Sequence, residues 1–143
     1  MPITVDILPE HNLVFVRYTG VMLVQESAEA FAAFAQNPDA RPGLRHLVDM
    51  TRLTDIDRDF PKFMELQAAK IETLASTGVE TFMVYLATTP IGRQAANIGK
   101  NGWTPESGVV AIVQDSEEAA LEALGIPHRS IAEMLNDGAA ESA

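Results

Sequence analysis

The chain has 143 residues, 47% of them hydrophobic and 21% charged, with no cysteine and a formal net charge of −10 from 20 acidic and 10 basic side chains. That length suits one domain that buries a core without cross-links, and the missing cysteine removes disulfides, thiolate catalysis and Cys-ligated zinc or iron–sulfur clusters. The charge has the wrong sign for gripping phosphate backbones or anionic head groups, so nucleic acid is not an expected partner. No apolar run approaches the roughly 20 residues of a membrane span. The opening "MPITVDILPE" has neither the basic start nor the apolar centre of a secretory signal, and a cytoplasmic address is expected.

Ile3–Leu8 and Leu13–Gly20 are β-rich runs around "PEHN", whose Pro9 and Asn12 suit a turn, so they predict an antiparallel hairpin. "VQESAEAFAAFAQNP" places Ala28, Phe31, Ala32 and Ala35 on one helical stripe with Phe34 beside it, and the helix is expected to end near Asn37. "LRHLVDM", Leu44–Met50, reads as a third strand. From Asp59 the period becomes helical through Phe60, Phe63, Met64, Gln67, Ile71, Leu74 and Ala75, with Gly78 as terminator.

Thr81–Ala87 and Val109–Val113 are apolar on both alternating faces, which predicts strands covered on both sides and the centre of the sheet. "PIGRQAANIGKNGW" between them reads as a helical crossover, and Asp115–Gly125 as a short helix capped by Asp115. A further helix is expected over Ser130–Leu135, with Ile131, Met134 and Leu135 on one stripe. Alternation of this kind predicts an α/β fold with a mostly parallel five-stranded sheet, an N-terminal antiparallel hairpin and four to five helices. The domain spans 1–127, with a C-terminal helix and flexible tail over 128–143.

Sites of known chemistry are sparse. Asp55, Asp57 and Asp59 alternate like the start of a calcium loop, but Phe60 stands where such a loop needs Gly and Leu66 where it needs Glu. Asp59 is better read as a helix cap, with Asp55 and Asp57 solvated. His11, His46 and His128 have no metal-pair spacing, no serine lies in a G-x-S-x-G elbow, and the glycines of "PIGRQAANIGKNG" match no nucleotide-binding pattern. No cofactor is expected.

The stretches "LPEHNLVFVRYTG", "NPDARPGLRHLVDMTRLTD" and "VAIVQDSEEAALEALG", with the long helix between them, resemble the STAS-like family, bacterial relatives of the SpoIIAA anti-sigma-factor antagonists. The likeness covers Ile3–Gly125 and implies stacked β-α units used for binding rather than catalysis. In that family a loop serine following an aspartate is phosphorylated to switch partners. The resemblance puts Asp57 near that aspartate and Arg58 at the serine, so the switch is not expected here. Thr51 and Thr54 are alternative phosphate acceptors within reach of Arg52, but are more simply turn residues.

Ligands of open α/β sheets meet the loops at the carboxyl ends of strands. The candidate surface there is Asp49, Thr51, Arg52, Thr54, Thr88 and Thr89, and Trp103 is a candidate to line an apolar pocket with Met83 and Tyr85. Three readings follow. The first is a regulatory module binding a protein partner or a small apolar or anionic ligand. The second is a small enzyme with Asp49 as base and Arg52 as anion clamp. The third is a self-assembling unit, in which "SIAEML" covers the second sheet face or packs on another copy as a homodimer.

Overall fold

A computed structural model describes residues 3–41, 43–75, 79–103 and 107–142. The chain runs β1 (Ile3–Leu8), a 3-10 turn (Pro9–His11), β2 (Leu13–Met22), α1 (Val24–Ala35), β3 (Arg45–Ile56), α2 (Phe60–Ala75), β4 (Thr81–Leu86), α3 (Pro90–Asn101), β5 (Val109–Gln114), α4 (Glu117–Ala123) and α5 (Ile131–Ser142). The strands lie in the order β1-β2-β3-β4-β5, with β1 antiparallel to β2 and the remaining pairs parallel. This is the expected α/β architecture. The hairpin closes through Asn12, whose left-handed φ of 53° lets its N–H reach the Pro9 carbonyl.

Successive side chains of a strand point to opposite faces, and the sheet is covered on both. On one face Leu13, Phe15, Leu47, Val84 and Leu86 pack with Ala120, Leu121 and Leu124 around α4 and with Ile131 and Met134 of α5. The stripe of "SIAEML" therefore closes over its own sheet, although Leu135 stays exposed. On the other face Tyr18, Met22, Val48, Met50, Met83 and Tyr85 meet Ala95 and Ala96 of α3, with Phe63 of α2 packed alongside. Small residues let α3 approach closely: a side chain at Gly92 would lie 2.8 Å from the Met50 carbonyl, and one at Gly99 about 3.0 Å from the Tyr85 hydroxyl.

Several expectations are corrected. The centre of the sheet is β3, and β5 is an edge strand with Val110 exposed; apolarity on both faces arises there because each face still packs under a helix. β3 continues past Met50 to Ile56, so Thr51–Thr54 belong to a strand rather than a loop. Pairing with β2 carries them on, through register shifts between Arg17 and Thr19 and between Gly20 and Val21.

In α2 the inward residues are Phe63, Leu66, Gln67, Lys70 and Ile71, whereas Phe60 is 47% and Met64 67% exposed. Alternative i, i+3, i+4 stripes overlapped in this apolar helix, and packing selected one. In α1 the inward stripe is Val24, Ser27, Phe31 and Phe34, leaving Ala32 and Ala35 exposed. Ser116, rather than Asp115, caps α4 by accepting the Ala119 N–H at 3.1 Å. Gly78 lies outside the described residues, as do the side chains of Leu74 and Ala75.

Candidate functional site

The predicted strand-end residues do not act as one group. Asp49 is 2% exposed; its Oδ2 accepts from Arg17 Nε at 3.0 Å, and its Oδ1 accepts from the Thr51 N–H at 2.9 Å and the Thr51 hydroxyl at 2.7 Å. Arg17 sits opposite Asp49 in the β2–β3 register, with its guanidinium 5.0 Å from the centre of the Phe15 ring. The hydrogen-bonded cation at Asp49 is thus Arg17 and not Arg52. Arg52 lies opposite Thr19, exposed, and both Asp49 oxygens already hold donors, so the carboxylate ties two strands together.

Thr89 caps α3 by accepting the Gly92 N–H at 3.1 Å, while Thr54 and Thr88 are exposed. Asp59 caps α2 as expected, accepting the Lys62 N–H at 3.2 Å. Asp57 is not simply solvated: it accepts the N–H of Asp59 at 3.0 Å and of Val24 at 3.2 Å, joining the start of α1 to the β3–α2 connection. Those backbone donors, Asp59 first and Val24 next, hold its carboxyl below the usual carboxylate range.

A second site lies where α1, α2 and α3 stand over the sheet. Val5, Val14, Val16, Val48, Met50 and Met83 form the floor of a cavity of about 90 Å³. Phe31 and Phe34 of α1, Phe63 of α2 and Ala95 and Gly99 of α3 line it from above. Trp103 lines it with Met83 and Tyr85, as its position suggested. The cause is an uneven roof: glycine and alanine bring α3 down onto the strands, while the larger residues of α1 and α2 hold those helices off.

Most polar groups of this cavity bond one another. Tyr18 and Ser27 share a hydrogen bond of 3.1 Å, Trp103 Nε1 donates to the Tyr85 hydroxyl at 3.0 Å, and Gln67 Nε2 donates to the Gly99 carbonyl at 3.2 Å. Burial pushes both tyrosine hydroxyls up, so they remain protonated. Two groups differ. His46, buried on β3 with its ring edge-on to Phe34 at 5.7 Å between centroids, is lowered to about 4 by burial and then by the Lys70 charge. Lys70, its amine 5.9 Å from the centre of the Phe31 ring, is lowered to about 8 by burial. Among the described residues neither side chain has a hydrogen-bond or ion-pair partner.

Both were missed as site residues. The available signals were a lysine on the same α2 stripe as Phe63 and Gln67, and a histidine inside an apolar strand. Among the described residues no three His, Asp or Glu side chains gather as a metal site, and no helix is long and apolar enough to cross a membrane.

The fold matches solved structures at low sequence identity. One is the anti-sigma factor antagonist SpoIIAA in its unphosphorylated form, at a TM-score of 0.50 and 12% identity over 86% of this chain and 97% of that one. Another is an uncharacterised DUF3478-family protein with a SpoIIAA-like fold from Shewanella loihica, at a TM-score of 0.53 and 14% identity over 85% of this chain and 91% of that one. No family model and no curated protein sequence matches the chain. The fold is thus SpoIIAA-like, in agreement with the resemblance read from the sequence.

Proposed function

We propose that this protein is a non-catalytic, STAS-like binding module whose ligand is a small, largely apolar molecule held between the sheet and helices α1 to α3. The observation carrying this reading is the cavity itself, an apolar space beside a core that elsewhere closes. Pockets that bind small molecules combine such walls with a few placed polar groups. The hydrogen bonds holding Asp49 argue against the enzyme reading, since a base with every oxygen engaged must first break its own structural ties.

Trp103 is the sole tryptophan and lines the cavity, so its fluorescence reports occupancy directly. Titration with 1-octanol is expected to change that emission saturably, and Ala30→Leu, which fills the space from α1, to abolish the change. An unsaturable response, together with a native mass free of any excess released on denaturation, would sink the reading.

A second reading is protein docking at the strand ends, with Arg52, Thr54 and Thr88 facing outwards and Asp49, Thr51 and Thr89 shaping the surface behind them. Val21 and Leu23 are exposed at the end of β2, and the fold is that of a protein named as an anti-sigma factor antagonist. A second copy is one such partner, giving the homodimer. Sedimentation of the intact chain is expected to show dimer, lost in Val21→Glu if that surface makes it; a monomer at every concentration removes the homodimer.

A further inference from the structure

Resting on the cavity reading above, we infer that the ligand is an amphipathic carboxylate, with its anionic head at Lys70 and His46 and its apolar body along the strand floor. The polar side chains of the cavity divide into three hydrogen-bonded pairs and these two, which have no hydrogen-bond or ion-pair partner among the described residues. The half-buried Lys70 ammonium, beside the Phe31 ring and close enough to His46 to act on its charge, has given up part of its water and has no anion among the described residues, an arrangement that a bound anion completes.

The side chains around the two groups fix the chemistry of the head. His46 is neutral near pH 7, so it supplies a hydrogen bond but no second positive charge. One ammonium and one neutral imidazole suit a singly charged carboxylate with two oxygens, one for each group. A phosphomonoester brings nearly two charges and three oxygens to a site with one cation, and leaves charge unpaired against apolar walls. The body must be apolar, because Val14, Val16, Val48, Met50 and Met83 offer no side-chain donor to a polar chain.

The experiment compares octanoate with 1-octanol, probes of equal chain length that differ in the head, by Trp103 fluorescence and calorimetry on the intact protein at neutral pH. Octanoate is expected to bind at least about tenfold more tightly, as a charge-assisted hydrogen bond supplies. Lys70→Met keeps an unbranched stem without the charge, and is expected to erase that preference, so that the variant binds octanoate no more tightly than octanol. Equal affinity of the wild-type protein for both probes overturns the inference and leaves the apolar cavity reading standing. Binding of neither overturns both. Because the wild-type comparison stands alone, a variant that fails to fold cannot rescue the inference; Lys70→Arg, which keeps the charge, is expected to retain the preference, and its loss there with folding intact also overturns the single-ammonium account.

Discussion

The two faces of the sheet use similar strands and reach different ends. Under α4 and α5 the strand side chains meet Leu121, Leu124, Ile131 and Met134, all nearly inaccessible, and the core closes. Under α1 to α3 the same strands meet glycine, alanine, widely spaced aromatics and a lysine, and space remains. Polar side chains follow the same division. Asp49, on the closed side by strand alternation, has both oxygens satisfied, whereas Lys70 and His46 on the open side have no hydrogen-bond or ion-pair partner among the described residues. One face closes as a core, and the other keeps a lined cavity.

Two methionines give the sharpest test of this contrast, since the same side chain is deleted from each face. Met134→Ala on the closed face is expected to cost about 3–4 kcal/mol in chemical denaturation, combining lost burial with a new cavity. Met83→Ala, which enlarges a space already present, is expected to cost about 2 kcal/mol. Equal costs would mean that the open face is packed as tightly as the other.

The next effect is a pH dependence confined to the open face. His46 has a folded pKa of about 4 against an ordinary 6.5, so between those values the unfolded chain takes up a proton that the folded protein refuses. The stability His46 confers is complete above pH 6.5 and is lost as pH falls towards 4, by about 3 kcal/mol from the linkage relation. His46→Leu is expected to flatten that limb in denaturation midpoints measured from pH 7 to 4. An unchanged slope would mean that the imidazole is free to charge in the folded state.

On the closed face the expected effect is similar or slightly smaller, with a different origin. Asp49→Ala deprives Arg17 and Thr51 of their acceptor and is expected to cost about 2–3 kcal/mol, with Arg17's partial exposure limiting the loss. Arg52→Ala is expected to leave stability within about 0.5 kcal/mol, because that exposed side chain is outside the Asp49 network. A large loss on removing Arg52 would restore the pairing read from the sequence.

These contrasts also explain what the sequence disclosed. Strand and helix order was legible because periods of 2.0 and 3.6 are set by local backbone geometry, and the five strands fall where apolar runs place them. The extent of β3 was not, because Thr51–Thr54 have the composition of a turn and are held extended by pairing with the end of β2. Trp103 with Met83 and Tyr85 anticipated the cavity wall, but Lys70 was hidden on a helix whose stripe could be drawn several ways. Arg17 was hidden likewise: its partner is 32 residues away, and only the parallel register brings them together.

A smaller predicted loss than those of the two cores concerns how the roof is held. Asp59 caps α2 through the Lys62 N–H, and Asp57 receives the first amide of α1, so both helices over the cavity are anchored by carboxylates of one short connection. Asp59→Ala is expected to cost about 1 kcal/mol, the ordinary value of an N-cap. Since that loss falls on a roof helix, hydrogen exchange should quicken in the first turns of α2 and leave α4 and α5 unchanged. Uniform acceleration across both faces would mean that closed and open sides unfold together, and that the open face has no independent freedom with which to admit a ligand.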